Sequence, residues 1–248
     1  MTRRRPAGTG EAGSPGAEPA EAPSPPWRPS EALVVGLIAL LLGFVASTFV
    51  FQATHDDGLQ LVWSVLAGSL SLSVATIVWV VLIHRGALAE LGLRTRRLLN
   101  DVAIGVVVGV FSYPLIVLVL GAPLYALISL LAGGPVTPPR QEILPPRPDE
   151  VEVAVGGVSA ILVAPVGEEL FFRGFLFGAL RRRFGLRIAA VASAVPFALV
   201  HFYVLLMPLL LVFGIVLAYV YERRGSIFAS IAAHAAFNVV GFLFYLLL

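Results

Sequence analysis

The chain has 248 residues, of which 58% are hydrophobic and only 13% charged, with a mean hydropathy of +0.91; a soluble domain averages about 45–50% apolar and about 25% charged residues. Apolar surface on this scale cannot be buried in one small core, so a water-soluble globule is excluded and the bilayer must act as solvent for most side chains. All 17 basic residues are arginine and there is no cysteine, which excludes disulfides, cysteine metal sites and thiol nucleophiles. The arginines sit beside apolar runs, where they set topology rather than bind nucleic acid.

Residues 1–30 hold seven of the 18 prolines together with Gly, Ala, Ser and Glu. Such a segment has too little apolar surface to offset its ordering entropy and is expected to be a disordered tail. Apolar runs follow near 32–52, 61–83, 102–132, 153–179, 187–203, 204–221 and 226–248. The expected fold is therefore all-α: a polytopic transmembrane helical bundle of about seven spans, or eight if Pro114 and Pro123 divide the long third run. The fifth and sixth runs share so few residues that a tight turn is expected near Met207 and Pro208. Residues 133–152, with six prolines, form a solvated loop. The organisation is a tail (1–30), an N-terminal set of helices and loops (31–152) and a C-terminal core (153–248).

Arginine placement orients the set. The tail and three alternate loops carry 14 arginines, against Arg140 and Arg147 in the opposite loops, with Arg173 set aside. This predicts a cytoplasmic N-terminus, in a plasma membrane that the arginine-only, Ala- and Gly-rich composition reads as bacterial.

Within the apolar runs the ionisable groups are few: Glu168, Glu169 and Arg173 on the fourth, His201 on the fifth and His234 on the seventh. A charge at mid-bilayer costs several kcal/mol, so each is by default functional. Counted inward from the flanking arginines at ~1.5 Å per residue, Glu168, His201, His234 and Asn238 all come out roughly 15–21 Å deep. One layer of the membrane thus receives a carboxylate, two imidazoles and a carboxamide. Glu169 and Arg173 stand at i and i+4, so they are expected to pair. The adjacent Glu168 then points about 100° away, free to act as a general base. His234 and Asn238, also i and i+4, are expected to offer neutral donors to an oxyanion, and the ring of Phe197 to pack beneath His201. The competing structural readings are a buried ion pair for Glu169–Arg173 and an interhelical bond for His234 and Asn238. His55 and His84 are expected in solvated loops. Phe171, Phe172, Phe175 and Phe177 are expected to form a lipid-facing or packing surface.

Gly167-Glu168-Glu169-Leu170-Phe171-Phe172-Arg173 fits Glu-Glu-x-x-x-Arg, Phe197-Ala198-Leu199-Val200-His201 fits Phe-x-x-x-His, and His234-Ala235-Ala236-Phe237-Asn238 fits His-x-x-x-Asn. In this order on consecutive apolar helices, they resemble the CAAX protease and bacteriocin-processing family of intramembrane endopeptidases, which includes the type II CAAX prenyl endopeptidase. The resemblance implies that Glu168 and His201 activate a water while His234 and Asn238 stabilise a tetrahedral oxyanion. It also implies that the substrate is a membrane-tethered peptide, prenylated in the CAAX branch.

A proton-coupled transporter and a non-catalytic immunity protein are the alternatives. Members of that family have been called metalloproteases, so a zinc ion on Glu168, His201 and His234 is the other cofactor reading. Three features favour no metal. There is no His-Glu-x-x-His helix, no carboxylate lies near either histidine in sequence to orient its second nitrogen, and Asn238 is a poor zinc ligand.

Overall fold

The computed structural model describes residues 25–53, 57–86, 88–94, 96–136, 144–145 and 147–247, which form helices and no strands. Seven helices follow in chain order. α1 is Pro29–Ala53 and α2 is Asp57–Val78, closed by a π turn, Trp79–Ile83. After a short 3₁₀ turn, Leu88–Leu91, comes α3, which runs from Leu98 to Ala132 through a π stretch, Leu115–Gly121. α4 covers 150–184 and holds two π stretches, Ser159–Val163 and Leu170–Phe177. Gly185, with φ 77° and ψ 172°, breaks the run. α5 covers 186–199, α6 is Met207–Arg224 and α7 is Ile227–Leu247. Among the described residues five continuous apolar helical stretches are long enough to cross a membrane; the one spanning Glu150–Leu199 is α4 and α5 together, and α6 ends on Glu222, Arg223 and Arg224.

The third run is not divided. Proline lacks an N–H, and its ring clashes with the carbonyl four residues earlier. The chain absorbs that clash by widening: the π stretch Leu115–Gly121 precedes Pro123, and Ser159–Val163 precedes Pro165. The turn expected at Met207–Pro208 instead occupies 200–206. Met207 and Pro208 open α6, where a first-turn proline loses no hydrogen bond.

The expected tail also ends differently. Its first 24 residues and His55 lie outside the described residues, but Trp27 is 1% exposed, stacks on Phe175 at 4.7 Å and donates its indole N–H to the Phe175 carbonyl at 2.9 Å. His84 is not a free loop residue: its imidazole bonds Glu31, which also accepts from the Trp79 indole. These contacts belong to one end of the bundle, the arginine end. There Arg181 pairs with Glu222 and Arg224 with Asp101, both at 2.7 Å, and Arg182 donates to the Pro25 carbonyl. The arginine-rich segments thus converge on one face, as alternate loops should.

The site-bearing helix α7 packs most closely on α3. A Cβ on Gly105 would stand 2.3 Å from the Ala229 carbonyl oxygen, and one on Gly109 2.1 Å from that of Ala233. These are small-residue contacts that bring backbones together where lipid supplies no hydrophobic drive. Gly109→Val should therefore force α3 and α7 apart at the residue preceding His234, lowering the melting temperature by an amount matching about 1–3 kcal/mol of overpacking and reducing activity with it.

Candidate active site

α4 delivers Glu168 and Glu169 between its two π stretches, and Gly167 explains how it reaches the centre. A Cβ there would lie 2.4 Å from the Ser69 carbonyl oxygen of α2, so only glycine lets the two backbones close at this level. Past Glu169 the Leu170–Phe177 stretch is buried on every side, with Phe171, Phe172, Phe175 and Phe177 at 6% exposure or less. These phenylalanines form packing surface and none faces lipid, because α1, α2, α5 and α6 surround the helix here.

Glu169 and Arg173 meet as their spacing predicts, Arg173 Nη1 lying 3.1 Å from Glu169 Oε1 with both side chains almost fully buried. The approach is an ion contact off hydrogen-bond alignment, since Nη1 and Nε have no hydrogen-bond partner. Arg173 is held instead by its Nη2 donating to the Gly214 carbonyl at 3.2 Å and by the face of Phe197 at 4.3 Å. His234 is brought to the same oxygen: its Nδ1 lies 2.9 Å from Glu169 Oε1. This link joins α7 to α4 across 65 residues of sequence, and no local spacing could reveal it.

Glu168 turns the other way, as one residue of helix requires. Its Oε2 is buried without a hydrogen-bond partner and lies 3.8 Å from Nε2 of His201. His201 owes its pose to the end of α5. The helix stops at Leu199, the His201 N–H goes to Ala198, and the Phe197 carbonyl loses the donor that a further turn would have given it. Imidazole Nδ1 takes that carbonyl at 2.7 Å. A carbonyl only accepts, so Nδ1 carries the hydrogen and Nε2 of the neutral ring presents its lone pair to Glu168. Phe197 thus serves through its backbone as well as its ring, which meets His201 edge-on at 4.9 Å and His234 at 5.7 Å.

Asn238 donates its amide N–H to the Ala160 carbonyl at 2.7 Å, inside a π stretch whose carbonyls are off the regular ladder. Both α7 residues therefore do bond helices together. One amide hydrogen of Asn238 remains. His234 requires a correction: with Glu169 as a carboxylate its Nδ1–H is the donor, so the neutral ring offers a lone pair at Nε2, and only the imidazolium can donate to an oxyanion.

All four residues line one cavity of about 1220 Å³, walled mostly by apolar and aromatic side chains that include Tyr113, Phe213 and Phe237. As a metal site the set does not fit: among the described residues no three His, Asp or Glu side chains converge on a point that could hold an ion. No carboxylate near in sequence orients either histidine, yet the second nitrogen of each is held, by the Phe197 carbonyl for His201 and by Glu169, 65 residues away, for His234.

No curated protein and no solved structure matches the chain. Residues 150–240 match a family model described as type II CAAX prenyl endopeptidase Rce1-like. The matched stretch runs from the first residue of α4 to the turn after Asn238 and holds all three motifs. The stretch that carries the three motifs is thus similar to the type II CAAX prenyl endopeptidase Rce1-like family.

Proposed function

We propose that the protein hydrolyses a peptide bond of a membrane-tethered or membrane-entering peptide, in a bacterial plasma membrane with its N-terminus cytoplasmic, by water activated without a metal. The observation that carries this reading is the Glu168–His201 pair: two acceptor atoms, Oε2 and Nε2, face each other at 3.8 Å on the floor of a peptide-sized cavity. A water between them would give one hydrogen to each. As its oxygen attacks the scissile carbonyl, Glu168 takes the proton, and the carbonyl electrons move onto the oxygen. The free amide hydrogen of Asn238 then faces that oxyanion, and Nε2 of His234 joins it as a donor when the ring carries a second proton. Glu168 next gives its proton to the leaving amine, which departs as the carbonyl reforms. Arg173 and Phe197 position Glu169 and the two imidazoles.

Cleavage of a quenched fluorescent peptide by the protein in liposomes made up in H₂¹⁸O tests the reaction. One ¹⁸O in the new carboxyl group is the expected product. Intact peptide would rule out the endopeptidase and leave the transporter reading. Asn238→Ala should retain residual turnover, since loss of one oxyanion donor costs ~10²–10³ in rate. It should also lower stability by about 1 kcal/mol through the orphaned Ala160 carbonyl.

A further inference from the structure

α3 and α6 run antiparallel and are tied together at two levels. Arg224 in the last turn of α6 pairs with Asp101 in the first turn of α3 at 2.7 Å. Towards the other end Leu209 of α6 closes on Gly121 of α3, where an added Cβ would stand 3.1 Å from the leucine side chain. Between these ties both helices pack on α7 and draw apart from each other, which leaves a groove of about 380 Å³ at the surface of the bundle.

This groove shares no lining residue with the catalytic cavity. Its walls are apolar: Ile104 and Val108, one turn apart on α3, with Ile215, Val216 and Tyr219 on α6. Ile215, Tyr219 and Arg223 stand at successive i, i+4 positions, so one face of α6 leads from the apolar wall to a guanidinium over roughly 12 Å. The charges beside that guanidinium are already matched, Arg224 by Asp101 and Glu222 by Arg181, both at 2.7 Å. Arg223 itself is exposed and pairs with no carboxylate among the described residues. Tyr219, one turn inward, is the amphipathic residue suited to the level where hydrocarbon gives way to headgroups.

We infer that the α3–α6 groove holds one acyl chain of an anionic phospholipid from the surrounding bilayer, with the lipid phosphate on Arg223. Apolar walls give water no hydrogen-bond partners, so a lipid chain is what fills the groove. Chain burial alone makes no choice among lipids, because their tails are as apolar as the side chains they touch. That choice falls to the unmatched cation at the groove's end, since a zwitterionic head brings its own cation and gains less there. A basic pocket between helices at the membrane surface is the pattern of an anionic-headgroup site. Seated here, the lipid braces α6, whose Gly214 carbonyl holds Arg173, against α3, on which α7 packs. The inference uses neither the endopeptidase reading nor the orientation of the chain.

Native mass spectrometry of the purified full chain, released from detergent containing phosphatidylglycerol or phosphatidylcholine of identical acyl chains, tests the site. The wild type is expected to retain one phosphatidylglycerol, favoured over phosphatidylcholine by roughly fivefold, the factor that one arginine near a membrane surface supplies. Arg223→Gln, which breaks no bond to a described residue, should remove the preference. Val216→Trp, which fills the groove, should cut retention of both lipids, and Arg187→Gln, which takes the same charge from the exposed start of α5, should behave as wild type. Equal retention of the two lipids by the wild type would overturn the inference. So would a preference that survives Arg223→Gln or is lost equally in Arg187→Gln, or retention untouched by Val216→Trp. A lipid-free pair of chains that Val216→Trp converts to single chains would overturn it as well, by making the groove a contact between copies.

Discussion

Glu168→Gln should abolish peptide cleavage while leaving the melting temperature unchanged. Oε2 of Glu168 has no hydrogen-bond partner in the protein, so the isosteric amide removes a proton acceptor and breaks no bond. A general base contributes ~10²–10⁴ in rate, and the amide also turns a donor towards the Nε2 lone pair of His201, displacing the water. His201→Ala should be equally inactive. Glu169→Gln is the contrasting variant one residue away: it strips the charge that Arg173 and His234 share and should lower stability and activity together. Paired measurements of rate and melting on the two glutamine variants separate base from scaffold. Wild-type turnover in folded Glu168→Gln would end the general-base assignment.

Arg173→Ala carries the largest expected loss of stability. It leaves Glu169 as a fully buried carboxylate with only His234 beside it, and removing one member of a buried pair typically costs about 3–5 kcal/mol. The cation over Phe197 is lost with it. Thermal unfolding in detergent should show a pronounced drop in melting temperature, or no folded protein. Replacing Glu169 and Arg173 together with Gln and Met should recover part of the loss, because the uncompensated charge is then gone. A double variant no more stable than Arg173→Ala would show that the cost lies in packing rather than charge.

How far the sequence reaches is visible in these same residues. Charges inside apolar runs are conspicuous, and i, i+4 spacing is a property of one helix, so the Glu169–Arg173 pair, the opposite aim of Glu168 and the shared depth of His201 and His234 were legible without coordinates. Depth counting needs only helix rise and flanking arginines, and the four residues do line one cavity. The partners supplied by other helices were not legible. Glu169 reaches His234 across 65 residues, and Asn238 reaches Ala160 across 78. His84 finds Glu31 only because α1 and α2 lie side by side.

Backbone devices were also hidden. The Phe197 carbonyl becomes available because α5 ends two residues before His201, and apolar Val200, Phe202 and Val204 read as continued span rather than as a turn. The π stretches gave no signal beyond the prolines that follow two of them. Of the two that precede no proline, Trp79–Ile83 closes α2, and Leu170–Phe177 leads directly out of the Glu168–Glu169 pair, in keeping with the frequent siting of such turns at functional positions.

Two observations bear on the role of metal in opposite directions. Both histidines have their second nitrogen held, which is the support that ligating imidazoles need. Yet among the described residues no third ligand converges with Glu168 and His201, and His234 is committed through Nδ1 to Glu169. In the proposed mechanism Glu168 and His201 act on water directly. Elemental analysis of the purified, active protein, joined to its cleavage rate after prolonged phenanthroline treatment, tests this most directly. The predicted result is metal far below one equivalent per chain and an unchanged rate. Stoichiometric zinc, with activity lost to the chelator and restored by added metal, would contradict it and make Glu168, His201 and His234 ligands.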